Sequence, residues 1–388
     1  MCAVGPTTEE GNPARFVGLN GEGGVVPVRT VLVVCLGLVL GLRPIASQEP
    51  SLGARLETLR TQSNLPAVAG ATFSSADVSA VSAMGVRRLG DPTPVTPDDL
   101  WHIGSITKSF TSLLMARFVE RGEMSWTSTL GDMLGPRAGK FAPVTLSQLL
   151  SHRAGLPANV LPGKVAAVLQ GAPTVDVQRH RLIDAALATD PTAAPGAAFL
   201  YSNLGYIIAG GLLESKAKKT WEDLVRDEVL SPLGLASAGN GPPGVRDLIS
   251  QPRGHRRASS GTLIPVEPGV AADNPPYLGP AGRLHMTVSD LARWGQAHLR
   301  GERGQDSIVK ADTFKRLHLP ESGAYAMGWV SQTTPDRRVV WHNGSNTCWY
   351  AIVAFDAAAD RGVAIVTNGS IGAAQAVDAA AMAAIRIN

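Results

Sequence analysis

The stretch Trp101-His-Ile-Gly-Ser-Ile-Thr-Lys108 runs straight into Ser109-Phe-Thr-Ser-Leu-Leu-Met-Ala-Arg-Phe-Val-Glu120. From Ser105 onward the pattern is helical, with Phe110, Leu113 and Leu114 apolar and Gly122 a natural terminator. Residues three apart on a helix share a face, so the Lys108 amine can sit beside the Ser105 hydroxyl. A serine hydroxyl is a poor nucleophile unless a neighbour takes its proton, and a lysine can take it if burial lowers its pKa. Ser105 at the helix N-terminus also has free backbone N–H groups aimed at developing negative charge. The tetrad alone proves little, because Ser215-Lys-Ala-Lys218 has the same form in a charged stretch that reads as the polar end of a helix. The preceding glycine and the apolar helix that follows set Ser105 apart.

Towards the N-terminus, Leu52, Leu56 and Leu59 recur at helical spacing, and that helix ends near Asn64-Leu65-Pro66. Two strand-like runs follow, Ala67 to Phe73 and Val78 to Met84, joined by a turn at Ser74-Ser75-Ala76-Asp77. Residues 122–240 alternate helical patterns with loops bearing Pro and Gly, and strand signals are scarce there. Strands return in Arg338 to His342, Trp349 to Phe355 and Val363 to Thr367, with a turn at Asp360-Arg361-Gly362. An Ala-rich helix from Ala373 to about Ile387 closes the chain. The expected fold is therefore α+β. One antiparallel sheet is built from both chain ends, flanked by N- and C-terminal helices, with a mostly helical lobe (122–240) inserted.

Two further motifs stand out. Tyr201-Ser-Asn203 is unmatched elsewhere, since none of the other four tyrosines is followed two residues later by Asn. A phenol held between ammonium groups can have its pKa lowered enough to relay a proton, and the asparagine amide can bond a substrate carbonyl. The competing reading is a core tyrosine ahead of an N-cap asparagine. His342-Asn-Gly344, followed by Ser345, closes the predicted strand from Arg338, its glycine leaving room for close approach to the backbone. His102-Ile-Gly104 fits the same loose pattern, and a structural histidine at a strand end is the bland alternative.

Taken together, in this order and setting, the three motifs resemble the serine penicillin-recognising superfamily. The chain looks most like class C β-lactamases, D,D-peptidases and related D-aminopeptidases and esterases. Leu149-Leu-Ser-His-Arg-Ala-Gly-Leu-Pro157, Pro195-Gly196, Ser231-Pro-Leu-Gly-Leu235, Pro280 to Leu291 and Met327-Gly-Trp329 extend the match over roughly residues 50 to 388. The resemblance implies a β-lactamase/transpeptidase-like fold and a covalent acyl-enzyme. It implies Ser105 as nucleophile, activated by the Lys108/Tyr201 pair. It also implies an oxyanion hole from the backbone N–H groups of Ser105 and Ser345, with Asn203, His342, Asn343 and Gly344 contacting substrate.

One departure from the superfamily matters. Many of its members begin the third motif with a lysine that recognises a substrate carboxylate, whereas His342 stands here. A neutral imidazole lacks that fixed charge, so esterase or peptidase activity is favoured over efficient β-lactam hydrolysis. Ser-Asp-Asn and a class A-type glutamate arrangement are not evident. No serine lies in G-x-S-x-G, which argues against a conventional Ser-His-Asp hydrolase. The alternative to an enzyme is a penicilloyl-binding sensor or cell-wall binding protein that acylates without efficient turnover.

Composition narrows the remaining classes. The 388 residues carry 35 basic and 32 acidic side chains, a balance that argues against a nucleic-acid surface. The eight histidines are scattered, with no H-E-x-x-H and no H-x-H, so neither metal nor cofactor is expected. The apolar run Val31 to Leu42, after Arg29 and ahead of Arg43-Pro44, is too short for a bilayer and suits a signal-peptide core. Residues 1–47 accordingly read as an N-terminal extension with signal peptide, the true start lying near Val25 to Val28, and 48–388 as the hydrolase domain. The product would be exported, periplasmic or secreted, touching membrane only through its export signal and acting on a small molecule or short peptide. Cys2 and Cys35 leave with the signal, and Cys348, in a sequence reading as strand, cannot form an internal disulfide alone. Specificity is expected from the helical lobe and the loop near Val245 to Ser260, where Arg246, Arg253, Arg256 and Arg257 read as a solvated basic loop in preference to a site for an anionic substrate.

Overall fold

Helix α2 (Thr107–Glu120) is buried on nearly every side in the computed structural model, which describes residues 50–159 and 162–386. An all-round buried helix must satisfy its own polar side chains. Here Thr107 donates to Gly104 O, Ser109 to Ile106 O and Thr111 to Pro280 O, each at 2.7 Å. The helix stops in a Schellman turn, with Gly122 at φ +73°. Gly122 N donates to Val119 O and Glu123 N to Phe118 O. The expected N-terminus differs in detail: Ser105 lies in a short 3-10 turn, Gly104–Ile106, just ahead of α2.

Eleven strands are present among the described residues. They are β1 (Ala67–Phe73), β2 (Val78–Gly85), β3 (Leu100–His102), β4 (Gly239–Asn240), β5 (Gly254–Arg257), β6 (Leu263–Val266), β7 (Leu284–Thr287), β8 (Val330–Thr333), β9 (Arg338–Ser345), β10 (Tyr350–Asp356) and β11 (Arg361–Thr367). The principal sheet runs β2-β1-β11-β10-β9-β8 and is antiparallel throughout. The β1/β2 hairpin from one end of the chain is stitched to the β9–β11 meander from the other by pairs such as Gly70↔Ile365. The sheet is thus built from both chain ends. Strands β10 and β11 are buried on both faces, which explains their unbroken apolar sequences.

One face is covered by α1 (Leu52–Gln62) and the closing helix Ala374–Ala384. Leu56 and Leu59 of α1 pack there with Val68, Ile352, Ile365 and Val377. Each such fully buried side chain contributes roughly 1.5–3 kcal/mol. Ser51 caps α1, and Asn64, at φ +50°, ends it. The other face carries helix Val288–Glu302 and, beyond it, α2. Trp294 stacks on Phe110 at 3.7 Å and donates to Ser109 Oγ at 3.0 Å, fixing α2 against the layer that lies on the sheet.

Between α2 and β4 the described residues form helices and turns, among them Val175–Leu187 and Asn203–Ala217. Fully buried Arg179 joins these two, contacting Glu214 of the second and Glu222 beyond it. No helix among the described residues is long and apolar enough to cross a membrane. The signal-peptide reading falls on residues outside those described.

Three sequence expectations shift. Strand β9 continues past His342 to Ser345, because Gly344 and Ser345 still pair with Ala351 and Tyr350. Cys348 consequently lies in the turn between β9 and β10, not within a strand, and is buried. Arg253 is not part of a solvated loop. It is 1% exposed, pairs with Glu267, and donates to the carbonyls of Val245 and Leu248. It pins the segment that the charge pattern alone made look free.

Candidate active site

Four segments converge on Ser105. Its hydroxyl is 3.0 Å from Lys108 Nζ, which also donates to Ala281 O at 2.7 Å. Lys108 is fully buried, and burial pushes its pKa well below the ordinary lysine value. No ion pair to Lys108 occurs among the described residues, so nothing offsets the cost of burying an ammonium. A neutral amine in hydrogen-bond reach of a hydroxyl can accept its proton.

Tyr201 comes from the turn before helix Asn203–Ala217, whose N-cap is Ser202, not Asn203; the Ser202 Oγ accepts from Gly205 N. The Tyr201 ring lies 4.9 Å from Lys108 Nζ. Burial drives the phenol pKa up, against a smaller lowering by Ser105. This corrects the expectation of a lowered phenol: burial disfavours the phenolate and outweighs the neighbouring groups. Asn203 is half-buried, and its amide donates to Asn159 Oδ1 at 3.0 Å.

Strand β9 supplies the opposite wall. Side chains alternate across a strand, so His342 and Gly344 share the face toward Ser105 while Asn343 takes the other. Asn343 Nδ2 donates to Asp378 Oδ2 in the closing helix at 3.0 Å. Its side chain is therefore turned away from the site, contrary to the sequence-based assignment. His342 is buried; Nδ1 bonds to Asn343 O at 2.5 Å and Nε2 to the Tyr325 hydroxyl at 3.1 Å. Burial lowers its pKa to about 3. The imidazole is neutral at physiological pH, donating through Nδ1 and accepting through Nε2.

Gly104 and Gly344 bring the two backbones together. A Cβ on Gly344 would stand 2.5 Å from Ser105 N and 2.8 Å from Ile106 N. A Cβ on Gly104, at φ +51°, would collide with the backbone nitrogen of Ser345. The backbone segments that carry the Ser105 and Ser345 nitrogens are thus in direct contact. Two N–H groups so placed can stabilise an oxyanion.

A family model described as Beta-lactamase matches residues 53–386. The chain belongs to the beta-lactamase family. Penicillin-binding protein 4 of Amycolatopsis lactamdurans is 29% identical over 258 residues, 63% of this chain and 62% of that protein. The unguisins hydrolase of Aspergillus campestris (strain IBT 28561) is 26% identical over 273 residues, 65% of this chain and 49% of that protein. The chain spans less than two thirds of the length of either relative. The class C beta-lactamase from Rhodobacter sphaeroides has the same fold, with a TM-score of 0.68 at 21% identity over 86% of this chain and 99% of that one.

Three of the phrases outside the three motifs pack against the segments that carry Ser105, Lys108 and Tyr201. Ala281, in Pro280 to Leu291, accepts from Lys108. Gly328, in Met327-Gly-Trp329, lies against Ser109, where a Cβ would stand 2.8 Å from the serine Cα. His152, in Leu149 to Pro157, was not singled out as a site residue. Its carbonyl and Nδ1 accept from Leu200 N (2.8 Å) and Ser202 N (3.1 Å), the residues on either side of Tyr201. Its ring packs 4.2 Å from that of Tyr201. Tyr325, the partner of His342, carried no sequence signal beyond its nearness to Met327. No group of three or more His, Cys, Asp or Glu is placed to hold a metal ion among the described residues.

Proposed function

We propose that the protein is an exported serine hydrolase that cleaves amide or ester bonds of a small molecule or short peptide through a covalent acyl-enzyme. The observation that carries the proposal is the Lys108 amine, buried without a carboxylate and 3.0 Å from the Ser105 hydroxyl. Hydrolases among its relatives support the same reaction class.

Ser105 Oγ attacks the substrate carbonyl as Lys108 takes its proton. The N–H groups of Ser105 and Ser345 hold the oxygen that becomes negative. As the carbon–heteroatom bond breaks, that proton passes to the leaving nitrogen or oxygen, by way of the neutral Tyr201 phenol. Water then adds to the acyl carbonyl, giving a proton to the same pair, and Ser105 recovers a proton as the acid departs. Asn203 orients the substrate, and His342 and Gly344 line its path.

With His342 neutral, the third motif offers no fixed positive charge to a substrate carboxylate. Neutral esters and amides, including those of D-amino acids, are therefore better substrates than penicillins. Turnover of p-nitrophenyl acetate and butyrate, a D-amino-acid p-nitroanilide and a penicillin tests this. Ester or amide turnover that far exceeds penicillin turnover supports it. Preferred penicillin hydrolysis would overturn the preference, and stoichiometric acylation without turnover of any substrate would make the protein a penicilloyl-binding sensor.

A further inference from the structure

His102-Ile-Gly104 matched the third-motif pattern without being part of it, and in the fold it lies directly against the real one at Gly344 and Ser345. His102 is fully buried at the end of β3, its ring stacked on Trp349 at 5.9 Å. Its Nδ1 accepts from the backbone N–H of Gly104 at 3.1 Å, so the ring proton sits on Nε2 and is donated to Asp273 Oδ1 at 2.8 Å. Asp273 in turn accepts from Arg283 Nε at 2.7 Å. The same Oδ1 accepts from Asn274 N, and Asn274 Nδ2 donates to Gly282 O at 2.8 Å, one residue from the carbonyl that holds Lys108.

The Gly104 peptide is gripped from the other side as well, its carbonyl accepting from Thr107 Oγ1 at 2.7 Å. We propose that the chain Arg283–Asp273–His102 is a positioning device that fixes the left-handed turn at Gly104, and with it the direction of the Ser105 backbone N–H in the oxyanion hole. His102 touches no substrate and acts through Gly104. The device is a histidine–aspartate pair aimed at a backbone amide instead of a hydroxyl. Asp273 serves both arms, orienting His102 toward the serine turn and, through Asn274, the segment that anchors Lys108. The inference rests on Ser105 being the nucleophile.

Two substitutions separate the arms. In His102→Asn the side-chain oxygen takes the place of Nδ1 and can still accept from Gly104. In His102→Gln the amide nitrogen takes the place of Nε2 and reaches Asp273, leaving Gly104 N–H without its acceptor. For p-nitrophenyl butyrate, His102→Gln is expected to lower kcat about 10- to 100-fold with KM within about threefold, since a misdirected oxyanion donor acts on the transition state. The affinity of a small boronic acid, whose adduct with Ser105 carries a tetrahedral oxygen, should fall in parallel. His102→Asn should recover most of both. The proposal is overturned if both variants behave as wild type, if both lose kcat equally together with thermal stability, or if Asn is worse than Gln. Should either fail to fold, Asp273→Asn takes its place, with the same loss in kcat at constant KM expected and a wild-type kcat contradicting the proposal. Ser105→Ala runs alongside. If it still turns over substrate, the reading of Ser105 falls and takes this proposal with it; if it is inert while His102→Gln is normal, only the positioning role falls.

Discussion

Gly344 and Ser105 approach so closely that a Cβ on the glycine would stand 2.5 Å from the serine backbone nitrogen. The contact is backbone to backbone, so no side chain can swing aside to relieve it. Gly344→Ala must push β9 away from the Gly104–Ile106 turn and separate the backbone nitrogens of Ser105 and Ser345, the proposed oxyanion donors. Loss of one such donor costs about 100- to 1000-fold in kcat. Ester kcat for Gly344→Ala should fall by at least about 100-fold, and steady-state kinetics beside a thermal melt will separate this from unfolding.

Lys108 gives a pH dependence of definite sign. Burial lowers its pKa in the folded chain, so acylation rises with pH through that depressed value and then levels off. Stability follows the same direction. Between the folded pKa and about 10.4 the unfolded chain holds a proton that the folded chain does not, so stability increases with pH across that window and is lowest below it. Lys108→Met should remove this slope from the difference between the two proteins' denaturation midpoints. Lys108→Arg, charged at every accessible pH, should abolish acylation while leaving the serine in place.

Acid should unfold the protein through its histidines. His152, His298 and His342 are buried with pKa values well depressed by burial, His342 to about 3, and His255 is lowered to about 4. Each binds a proton in the unfolded chain near pH 6.5 and resists it in the fold. Each therefore withdraws about 1.4 kcal/mol per pH unit as pH falls from about 6.5 towards its folded value. Urea midpoints measured from pH 7.5 down to 4.5 should drop steeply. A flat profile would mean that these imidazoles are solvated.

Arg179 is fully buried against Glu214, Glu222 and the carbonyl of Tyr277. Removing it leaves the Glu214 carboxylate buried without its cation. Arg179→Ala should cost about 3–5 kcal/mol in chemical denaturation, the range for breaking one side of a buried ion pair. Because helix Asn203–Ala217 carries Glu214, Tyr201 at the head of that helix should also become less ordered, and kcat should fall.

The sheet was readable from sequence because its strands are apolar runs bounded by turn residues, and β1, β2, β10 and β11 lie within a few residues of expectation. Strand β9 reads shorter in the sequence because periodicity cannot show that Gly344 and Ser345 keep their partners on β10. The Ser105–Lys108 relation was readable because it is local, fixed by one turn of helix. The motif puts Asn343 in the site because it names three consecutive residues, while a strand sends every second one to the far face. His102, His152 and Tyr325 act through contacts made across the fold, and nothing in their neighbours announces this. The pKa of Tyr201 escapes the sequence for a related reason: burial is a property of the folded surroundings, and it outweighs the nearby groups.

The central claim is that Ser105 forms a covalent acyl-enzyme with Lys108 as its proton acceptor. Intact-mass spectrometry with peptide mapping, after brief exposure to a fluorescent penicillin and to p-nitrophenyl butyrate, tests it most directly. A single adduct on the peptide bearing Ser105, absent in Ser105→Ala and Lys108→Ala, is the predicted result. An adduct elsewhere, or one that persists in Ser105→Ala, would contradict the account.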